Sequence, residues 1–386
     1  MRKLRFATAI PNFSKTKGGA ERYLVDLCTR MAGEGHEVHV CAENWDEEDG
    51  RFHFHRIKTI PFPKSLRLLS FAIKATKEME KGNYDVTLGV GNTLRADVLQ
   101  PHGGVHWAWF WRSLRAYDNP IIWTIKFLGR VLSPKQWGSG WIENAPYKRK
   151  TFHKIVAISD MVKRDIIRWY GIPEDKIDVV YNGVDIERFH PRNRQYREEI
   201  RKRHGIGDEF VLLFVSNNFR MKGLGPLIRA VADLKREEPR PLKCLILGRD
   251  KIFLYMRLAK RLELSKEIIF AGSTGEPEKY YGAADLLVHP TFYDACSLTV
   301  LEALASGLPV ITTSSNGASG VLSHGEDGWV IDDMEKGDQL KRAIKYFLDD
   351  KVREQASNRG RGKAEIHGKK LNFDRMIGIF KEAAKK

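Results

Sequence analysis

Short apolar runs alternate along the chain with segments whose apolar residues recur at helical spacing. Residues 4–10 and 37–42 are two such runs, and the segment 20–33 between them repeats apolar side chains every three or four positions. A short apolar run predicts a buried strand, and the longer period predicts an amphipathic helix. Together they predict a βαβ unit, which is the building block of parallel sheets.

The same alternation continues along the chain and starts afresh near its middle. Further strands are predicted at 85–90, 155–158, 177–181, 210–216, 242–247, 268–270, 286–290 and 309–312, and further helices at 161–170, 225–235, 253–262, 277–283 and 298–306. This repetition predicts the α/β class, with two doubly wound, Rossmann-like domains. The polar, turn-like segment 191–194 marks their boundary, so we expect domains at 1–190 and 191–367.

Positive charge is concentrated in one stretch of the chain. Lys and Arg outnumber Asp and Glu by 65 to 49, a formal net charge of +16, and residues 51–168 alone hold 21 basic and 8 acidic side chains. Such a surface attracts polyanions, whether nucleic acid, an anionic bilayer or a phosphorylated substrate. The sequence contains no recognisable nucleic-acid-binding module, so we expect no nucleic-acid partner.

The cysteines and the hydropathy indicate the compartment. Cys28, Cys41, Cys244 and Cys296 are scattered, without a Cys-x-x-Cys pair or histidines at zinc-finger spacing. No apolar run approaches the roughly 20 residues that span a bilayer. We therefore expect a cytoplasmic protein, with a place on a membrane surface left open.

A ligand site is expected beyond the carboxyl ends of the strands, where two facing domains would form a cleft. Gly18 and Gly19 follow the first strand, where backbone N–H groups at a helix start can approach phosphate oxygens. A plain turn explains this pair equally well. Arg220 and Lys222 follow the first strand of the second domain, where two cations can grip a diphosphate. A solvated basic loop is the alternative.

Two common nucleotide-binding motifs are absent from the sequence. No G-x-G-x-x-G triplet opens a helix after the first strand, and Gly89-Val90-Gly91 lacks the third glycine. No Walker P-loop, G-x-x-x-x-G-K-[ST], occurs either. Nicotinamide and ATP chemistry are therefore disfavoured.

The segment 294–303 carries two carboxylates eight positions apart, one before a predicted helix and one inside it. Ser297 is a candidate N-cap, which leaves the N–H groups of Leu298 and Thr299 available to an anion at the positive helix end. Glu302 lies in an otherwise apolar helix, so its charge needs a partner. Either the hydroxyls of a ribose or an intramolecular salt bridge would supply one.

This segment resembles the E-x7-E signature of the retaining nucleotide-sugar glycosyltransferases of family 4, which have the two-domain GT-B fold. The resemblance covers nearly the whole chain, and the matching pieces are Gly18-Gly19-Ala20-Glu21-Arg22, Ala157-Ile158-Ser159, Tyr181-Asn182-Gly183-Val184-Asp185 with Phe189, Lys222-Gly223, Leu301-Glu302-Ala303 and Gly307-Leu308-Pro309-Val310. It implies two facing Rossmann-like domains with a cleft between them. It also implies that a last helix, 368–386, crosses back onto the first domain.

The resemblance also implies roles for individual residues. Gly18 and Gly19 would meet the donor diphosphate, Arg220 and Lys222 would neutralise it, and the remaining donor contacts would come from Phe270 near the base, from Ser297, Leu298 and Thr299 at the helix start, and from Glu302 at the ribose. We assign catalytic roles to His102, Asp294, Arg220 and Lys222. His102 lies in a glycine-bordered loop near the expected sugar position, and a structural loop histidine is the alternative.

The chain departs from the family pattern at three places. Asp294 stands where the first carboxylate is usually Glu, and Ala295 and Cys296 replace the usual glycines. Asn217 occupies the place of a customary arginine, whose role we assign to Arg220. The contacts to the donor sugar are the part of the family pattern that these changes affect.

Within the family, the chain looks most like the lipopolysaccharide core glucosyltransferases. That likeness implies transfer of a hexose, most directly glucose from UDP-glucose, to a lipopolysaccharide core or another envelope glycan. The acceptor would be an anionic saccharide or a lipid-linked one, which suits the basic stretch 51–168. A family 4 enzyme with a soluble acceptor is the alternative. No Asp-x-Asp motif accompanies the donor residues, so we expect no cofactor and no metal ligand.

Tryptophan is concentrated between residues 107 and 141. Six of the nine tryptophans lie there, among the basic residues Arg112, Arg115, Lys126 and Arg130. This combination suits either sugar stacking or a membrane interface. Residues 121–132 are accordingly either an interfacial helix, in peripheral contact with a membrane, or a helix buried beneath an active-site loop.

Overall fold

The computed structural model describes residues 3–46, 49–332 and 338–384, and the chain divides into two compact units. The first contains Met1–Tyr181 and Asn372–Lys386, and the second contains Asn182–Leu371. The division comes after Tyr181 rather than after residue 190, because the intervening residues bind the second unit. Val184 exchanges backbone hydrogen bonds with His367 and Lys369 at 3.0 and 2.9 Å. Arg361 donates to the carbonyl oxygens of residues 186 and 189.

The first unit is built on a seven-stranded parallel sheet with the order β5-β3-β1-β6-β7-β8-β9. Its elements are β1 (Arg5–Ala9), β2 (Asn12–Phe13), α1 (Gly19–Gly33), β3 (Glu37–Ala42), β4 (Asn44–Trp45), β5 (Phe52–Arg56), α2 (Lys64–Lys81), β6 (Val86–Gly89), β7 (Val98–Leu99), α3 (His106–Arg112), α4 (Pro120–Val131), α5 (Pro134–Arg149), β8 (Lys154–Ala157), α6 (Asp160–Tyr170) and β9 (Ile177–Val179). β2 and β4 form a separate two-stranded sheet.

The second unit is built on a six-stranded parallel sheet with the order β12-β11-β10-β13-β14-β15. Its elements are α7 (Arg197–Arg203), β10 (Phe210–Val215), α8 (Leu224–Glu237), β11 (Leu242–Leu247), α9 (Phe253–Arg261), β12 (Ile268–Gly272), α10 (Pro277–Ala283), β13 (Leu286–His289), α11 (Leu298–Ala305), β14 (Val310–Thr313), β15 (Gly328–Ile331), α12 (Gln339–Tyr346) and α13 (Asp350–Glu365). This is the strand order of a dinucleotide-binding Rossmann sheet.

The last helix, α14 (Lys369–Ala383), packs into the core of the first unit. Phe373, Met376 and Phe380 are buried there, and the Phe380 ring lies 5.0 Å from that of Phe6. The Asn372 amide donates to the carbonyl of Tyr181 at 2.6 Å. The final two residues of the expected helix 368–386 lie outside the described residues. Within the part of the chain that the structure describes, no helix is both long and apolar enough to cross a bilayer.

Candidate functional site

Each sheet reverses its strand order beside its first strand, and the expected site residues lie at those two places. β1 pairs with both β3 and β6, and β10 pairs with both β11 and β13. In open α/β sheets, ligands bind beyond the carboxyl ends of the strands at such a reversal. Gly18 and Gly19 follow β1, whereas Lys222 follows β10 and Asp294 follows β13. The loops after β10 and β13 are neighbours.

Lys222 and Asp294 form an ion pair that joins these two loops. The Lys222 Nζ lies 2.5 Å from Oδ2 of Asp294 and donates to the carbonyl of Tyr293 at 3.1 Å. Both side chains are largely buried, and the ring of the buried His289 lies 3.6 Å from the same carboxylate oxygen. Burial alone would raise the pKa of Asp294, but the Lys222 charge and His289 outweigh it and hold the pKa well below its usual range. Asp294 therefore remains ionised.

Gly223 lets the loop after β10 approach the end of β13 closely enough for this pair. Its backbone has a φ of +80°, a conformation that side chains other than glycine rarely adopt. A Cβ added to Gly223 would lie 2.1 Å from the carbonyl oxygen of Pro290. Any other residue here would force the two loops apart and move Lys222 away from Asp294.

The start of α11 lies directly after Asp294 in this region. The helix begins at Leu298, as expected, but the side chain of Ser297 makes no capping hydrogen bond. Its hydroxyl instead lies 2.7 Å from that of Thr299, and each hydroxyl lies 3.4 Å from a ring nitrogen of His289. Because the Ser297 side chain takes none of the first N–H groups, the positive end of α11 can receive an anion.

Glu302 has a hydrogen-bond donor from within the protein. The hydroxyl of the buried Tyr281 donates to Oε2 of Glu302 at 2.8 Å. Burial, together with the negative charge of Glu302, raises the pKa of Tyr281 well above its usual value, so the phenol keeps its proton. This contact stabilises a carboxylate within an apolar helix and orients it.

Arg220 and Lys222 have different partners, although they were expected to act together. Arg220 is exposed and lies beside the hydroxyl of Tyr255 on α9, where its charge opposes the rise in the Tyr255 pKa that burial causes. Phe270 on β12 is partly buried, and its ring lies 6.4 Å from that of Phe219. Phe219 also contacts Tyr255 at 5.7 Å, so Arg220 and Phe270 flank one aromatic row.

His102 lies at the corresponding edge of the first sheet. Its ring packs on Tyr23 with centroids 4.4 Å apart, and its Nε2 lies 3.1 Å from the Oε1 of Gln100. Burial lowers the pKa of His102 to about 4, so the ring is neutral at pH 7. Tyr23 lies in the first turns of α1, which begins at Gly19, so His102 and this helix start border the same aromatic side chain.

The helix start at Gly18 and Gly19 is partly covered by a carboxylate. Gly18 occupies the N-cap position with an extended backbone, and a Cβ placed on it would lie 2.5 Å from Oε2 of Glu21. Sequence reasoning expected these amides to face a diphosphate directly. An anion that binds here must first displace the Glu21 side chain, because like charges repel at this distance.

Within the tryptophan-rich segment, the helix expected at 121–132 lies at the surface, so the expectation of a helix buried beneath a loop is wrong. No residue of α4 is buried, and its exposed apolar side chains, which we call the α4 face, are Ile121, Ile122, Ile125, Leu128 and, just after the helix, Leu132. Arg130, expected to be a surface cation, instead donates to the Phe110 carbonyl and the Ser113 hydroxyl, both at 2.7 Å. Arg112 likewise pairs with Asp165.

Sequence reasoning missed His289 and Tyr281. His289 ends the predicted strand 286–290, at the edge where ligands bind, so its position in the sequence was a usable signal. Tyr281 lies in a predicted helix at 277–283 with no local feature that distinguishes it. Its role follows only from the packing of α10 beside α11.

The neutral state of His102 can be tested by titration. The ordinary histidine pKa is about 6.5, so burial that lowers it to about 4 favours the neutral ring in the folded protein. The resulting stabilisation is complete above about pH 6.5 and is lost as the pH falls towards 4. In NMR titrations of the histidine rings, the signal missing from His102→Gln should titrate near pH 4. Titration between pH 6 and 7 would contradict the burial.

The ion pair can be tested by a double-mutant cycle. Lys222→Met leaves a largely buried carboxylate without its cation, so we expect a loss of about 3 kcal/mol in the free energy of unfolding at pH 7. Adding Asp294→Asn should restore much of that loss, because the two costs are coupled. Urea unfolding measures both, with Lys251→Met as the exposed-lysine control. Strictly additive effects would show that the pair contributes nothing.

Two family models match the chain, and between them they span most of it. The model described as Glycosyltransferase Family 4 matches residues 17–188, and the model described as Glycosyl transferases group 1 matches residues 196–363. The first match lies almost entirely in the first unit and the second lies within the second unit. Each unit of the chain therefore matches a glycosyltransferase family model.

Curated relatives agree with the family models. An uncharacterized glycosyltransferase of Methanocaldococcus jannaschii is 26% identical over 81% of each chain. The lipopolysaccharide glucosyltransferase WaaG of Escherichia coli is 24% identical over 86% of each chain. A D-inositol 3-phosphate glycosyltransferase of Pseudarthrobacter chlorophenolicus is 31% identical over a shorter region, 46% of this chain and 44% of the relative.

Solved structures have the same fold. The crystal structure of WaaG superposes with a TM-score of 0.77 at 21% identity, covering 97% of this chain and 99% of WaaG. Anabaena HepE in complex with UDP-glucose gives a TM-score of 0.70 at 17% identity, covering 98% and 100%. These structures confirm the fold class, and the two family models confirm the family resemblance read from the sequence motifs. The chain belongs to the family 4 glycosyltransferases and has the GT-B fold.

Proposed function

We propose that this glycosyltransferase moves a hexose from a UDP-sugar, most directly glucose from UDP-glucose, to a lipopolysaccharide core or another envelope glycan, with retention of the anomeric configuration. The observation that carries the proposal is the Lys222–Asp294 pair beside the uncapped start of α11. A cation and a helix N-terminus together form a site for a diphosphate. The structural relative HepE was solved in complex with UDP-glucose.

In the proposed complex, the residues of the second unit hold the donor. Lys222 and Arg220 neutralise the diphosphate together with the N–H groups of Leu298 and Thr299, while Glu302 accepts hydrogen bonds from the ribose and Phe270 lies near the base. The Tyr281 hydroxyl supports this by fixing Glu302 before the donor arrives. Lys222 then exchanges part of its contact with Asp294 for phosphate oxygens, which leaves the Asp294 carboxylate available to hydroxyl groups of the sugar.

The proposed reaction needs no covalent enzyme intermediate. The bond between the anomeric carbon and the phosphate oxygen breaks, and an acceptor oxygen bonds to that carbon on the same face. The acceptor proton passes to the departing phosphate. Stabilising the charge that develops on that phosphate is the main catalytic contribution. Neutral His102 serves as a hydrogen-bonding group near the sugar, and Gly18 and Gly19 contact the diphosphate once Glu21 has moved aside.

A lipid-linked, anionic acceptor accounts for the exposed apolar face of α4, which a soluble acceptor would not require. The α4 face exposes apolar side chains to solvent, with Ile121 at 69% and Leu132 at 77% exposure. Lys126 is exposed on the same helix. An apolar helix face beside an exposed cation suits the surface of an anionic bilayer, so we propose that the enzyme acts at the inner face of the cytoplasmic membrane. A soluble phosphorylated acceptor is the second candidate, because one relative is a D-inositol 3-phosphate glycosyltransferase.

Donor binding can be tested by thermal protection. A ligand that binds only the folded protein raises its melting temperature, so UDP and UDP-glucose should raise it more than ADP or GDP do. Arg220→Gln should weaken UDP binding about tenfold, because it removes one charge-assisted contact of about 1.4 kcal/mol. The exposed Lys251→Gln is the matched control and should bind UDP as the wild type does. Protection by none of these nucleotides would contradict the proposal.

The same preparation tests turnover and the expected independence of metal. Glu302→Gln should lower sugar transfer or UDP-glucose hydrolysis through weaker donor binding, and Lys222→Met should lower turnover roughly 100- to 1000-fold. Turnover in excess chelator should match that in its absence. Complete loss in chelator, restored by Mg²⁺ or Mn²⁺, would show that a metal ion takes part.

Membrane contact can be tested with vesicles of defined charge. The wild-type protein should sediment with vesicles that contain phosphatidylglycerol, and less with neutral vesicles, because both apolar burial and cations contribute. Replacing Ile125 and Leu128 with Gln together should abolish most of this binding. Phe253→Gln, which alters an equally exposed apolar residue of the second unit, is the control. Unchanged binding in the α4 variant would contradict the proposal.

A further inference from the structure

Histidines cluster on one face of the sheet in the first unit, away from the residues assigned to sugar transfer. β3 and β5 are parallel neighbours at the sheet edge, and His39 is directly opposite His53. Along β5, Phe52 and Phe54 alternate with His53 and His55. The two phenylalanines pack with the main core of the unit, so both histidines lie on the other face.

Glu37 completes a group of three possible metal ligands with His39 and His53. One ligand atom from each residue lies within 4.8 Å of the other two. Nε2 of the buried His39 is 2.8 Å from Oε1 of Glu37, and the rings of His39 and His53 are stacked with centroids 4.7 Å apart. Two imidazole nitrogens and one carboxylate oxygen form a ligand set that zinc accepts.

His55 and Glu78 form a second row of contacts next to His39. Nδ1 of His39 lies 2.9 Å from Nε2 of His55, and Nδ1 of His55 lies 3.4 Å from Oε1 of Glu78 on α2. When Nε2 of His39 binds a cation, its ring proton resides on Nδ1 and is donated towards His55. Metal-binding histidines are commonly oriented by such a partner, which fixes the tautomer and the ring position.

We propose that Glu37, His39 and His53 bind a divalent transition-metal ion of the zinc type. Three protein ligands leave further positions of the ion to water. The ion would link β5, the last strand at this edge, to β3 and so stabilise the first unit. Glu37 begins β3, at the opposite end of the strands from His102, so this site is separate from the residues assigned to sugar transfer. The proposal does not depend on the proposed function.

The positive charge of Arg5 competes with a metal ion for Glu37. The Arg5 Nε lies 3.1 Å from the Oε1 of Glu37 and shares that carboxylate. Because Arg5 and a metal ion compete for the same negative charge, removing the guanidinium should strengthen metal binding. Loss of a metal ligand should weaken metal binding. Arg5→Gln and His53→Ala should therefore change the affinity for the metal ion in opposite directions.

The test is a calorimetric titration of the full chain, freed of any affinity tag and of bound metal, with ZnCl₂. We expect one saturable Zn²⁺ per chain. His53→Ala should weaken its binding at least 100-fold, and because His53 is exposed the variant should fold normally. His55→Gln should weaken binding about 10- to 100-fold through loss of the supporting contact. His153→Ala, another exposed histidine of the first unit, should leave binding unchanged.

Three further measurements test the site. Zn²⁺ should raise the melting temperature of the wild type but not that of His53→Ala, and Arg5→Gln should bind Zn²⁺ more tightly than the wild type. The visible absorption of bound Co²⁺ reports the coordination number of the ion, and His53→Ala should lose the absorption that the wild type shows. Absence of saturable binding in the wild type, or equal binding by His53→Ala and His153→Ala, would overturn the proposal.

Discussion

The ion pair between Lys222 and Asp294 holds together the two loops that leave the centre of the second sheet. β10 and β13 are hydrogen-bonded neighbours, and both strands lead into loops at the same edge of the sheet. Gly223 permits their close approach, and the two opposite charges compensate each other where water has little access. The contact lies shortly before the start of α11 at Leu298. Without this pair, the two loops at the candidate site would lose the contact that joins their side chains.

Much of the fold was predictable because buried parallel strands are nearly continuous apolar runs. The strands at 37–42 and 242–247 and the helix at 277–283 lie where the apolar pattern predicts them. β5 was missed because its two histidines interrupt the apolar run, and only the register with β3 shows that Phe52 and Phe54 face a core. The period of two was present in the sequence, but it spans only two apolar residues, Phe52 and Phe54.

The candidate site was predictable in its location but not in its contacts. Topology alone places residues that follow central strands at one edge, which is why Lys222 and Asp294 are found together. No local pattern reveals that His289 touches Asp294 or that Tyr281 holds Glu302, since those contacts arise from tertiary packing. Arg220 shows the limit of reasoning from spacing. It is two positions from Lys222 and has a different partner, because the backbone turns between them.

The placement of α14 has a consequence for how the molecule is made. Its buried face completes the core that begins with Phe6 and Leu24, yet the whole of Asn182–Leu371 is synthesised between them. During synthesis, the hydrophobic core of the second unit can therefore form before that of the first unit, although the first unit begins earlier in the sequence. Until α14 has been synthesised, the first unit exposes the apolar surface that this helix covers. In chain order the second unit is therefore an insertion within the first, and the core of the first unit is completed only after the second unit has been made.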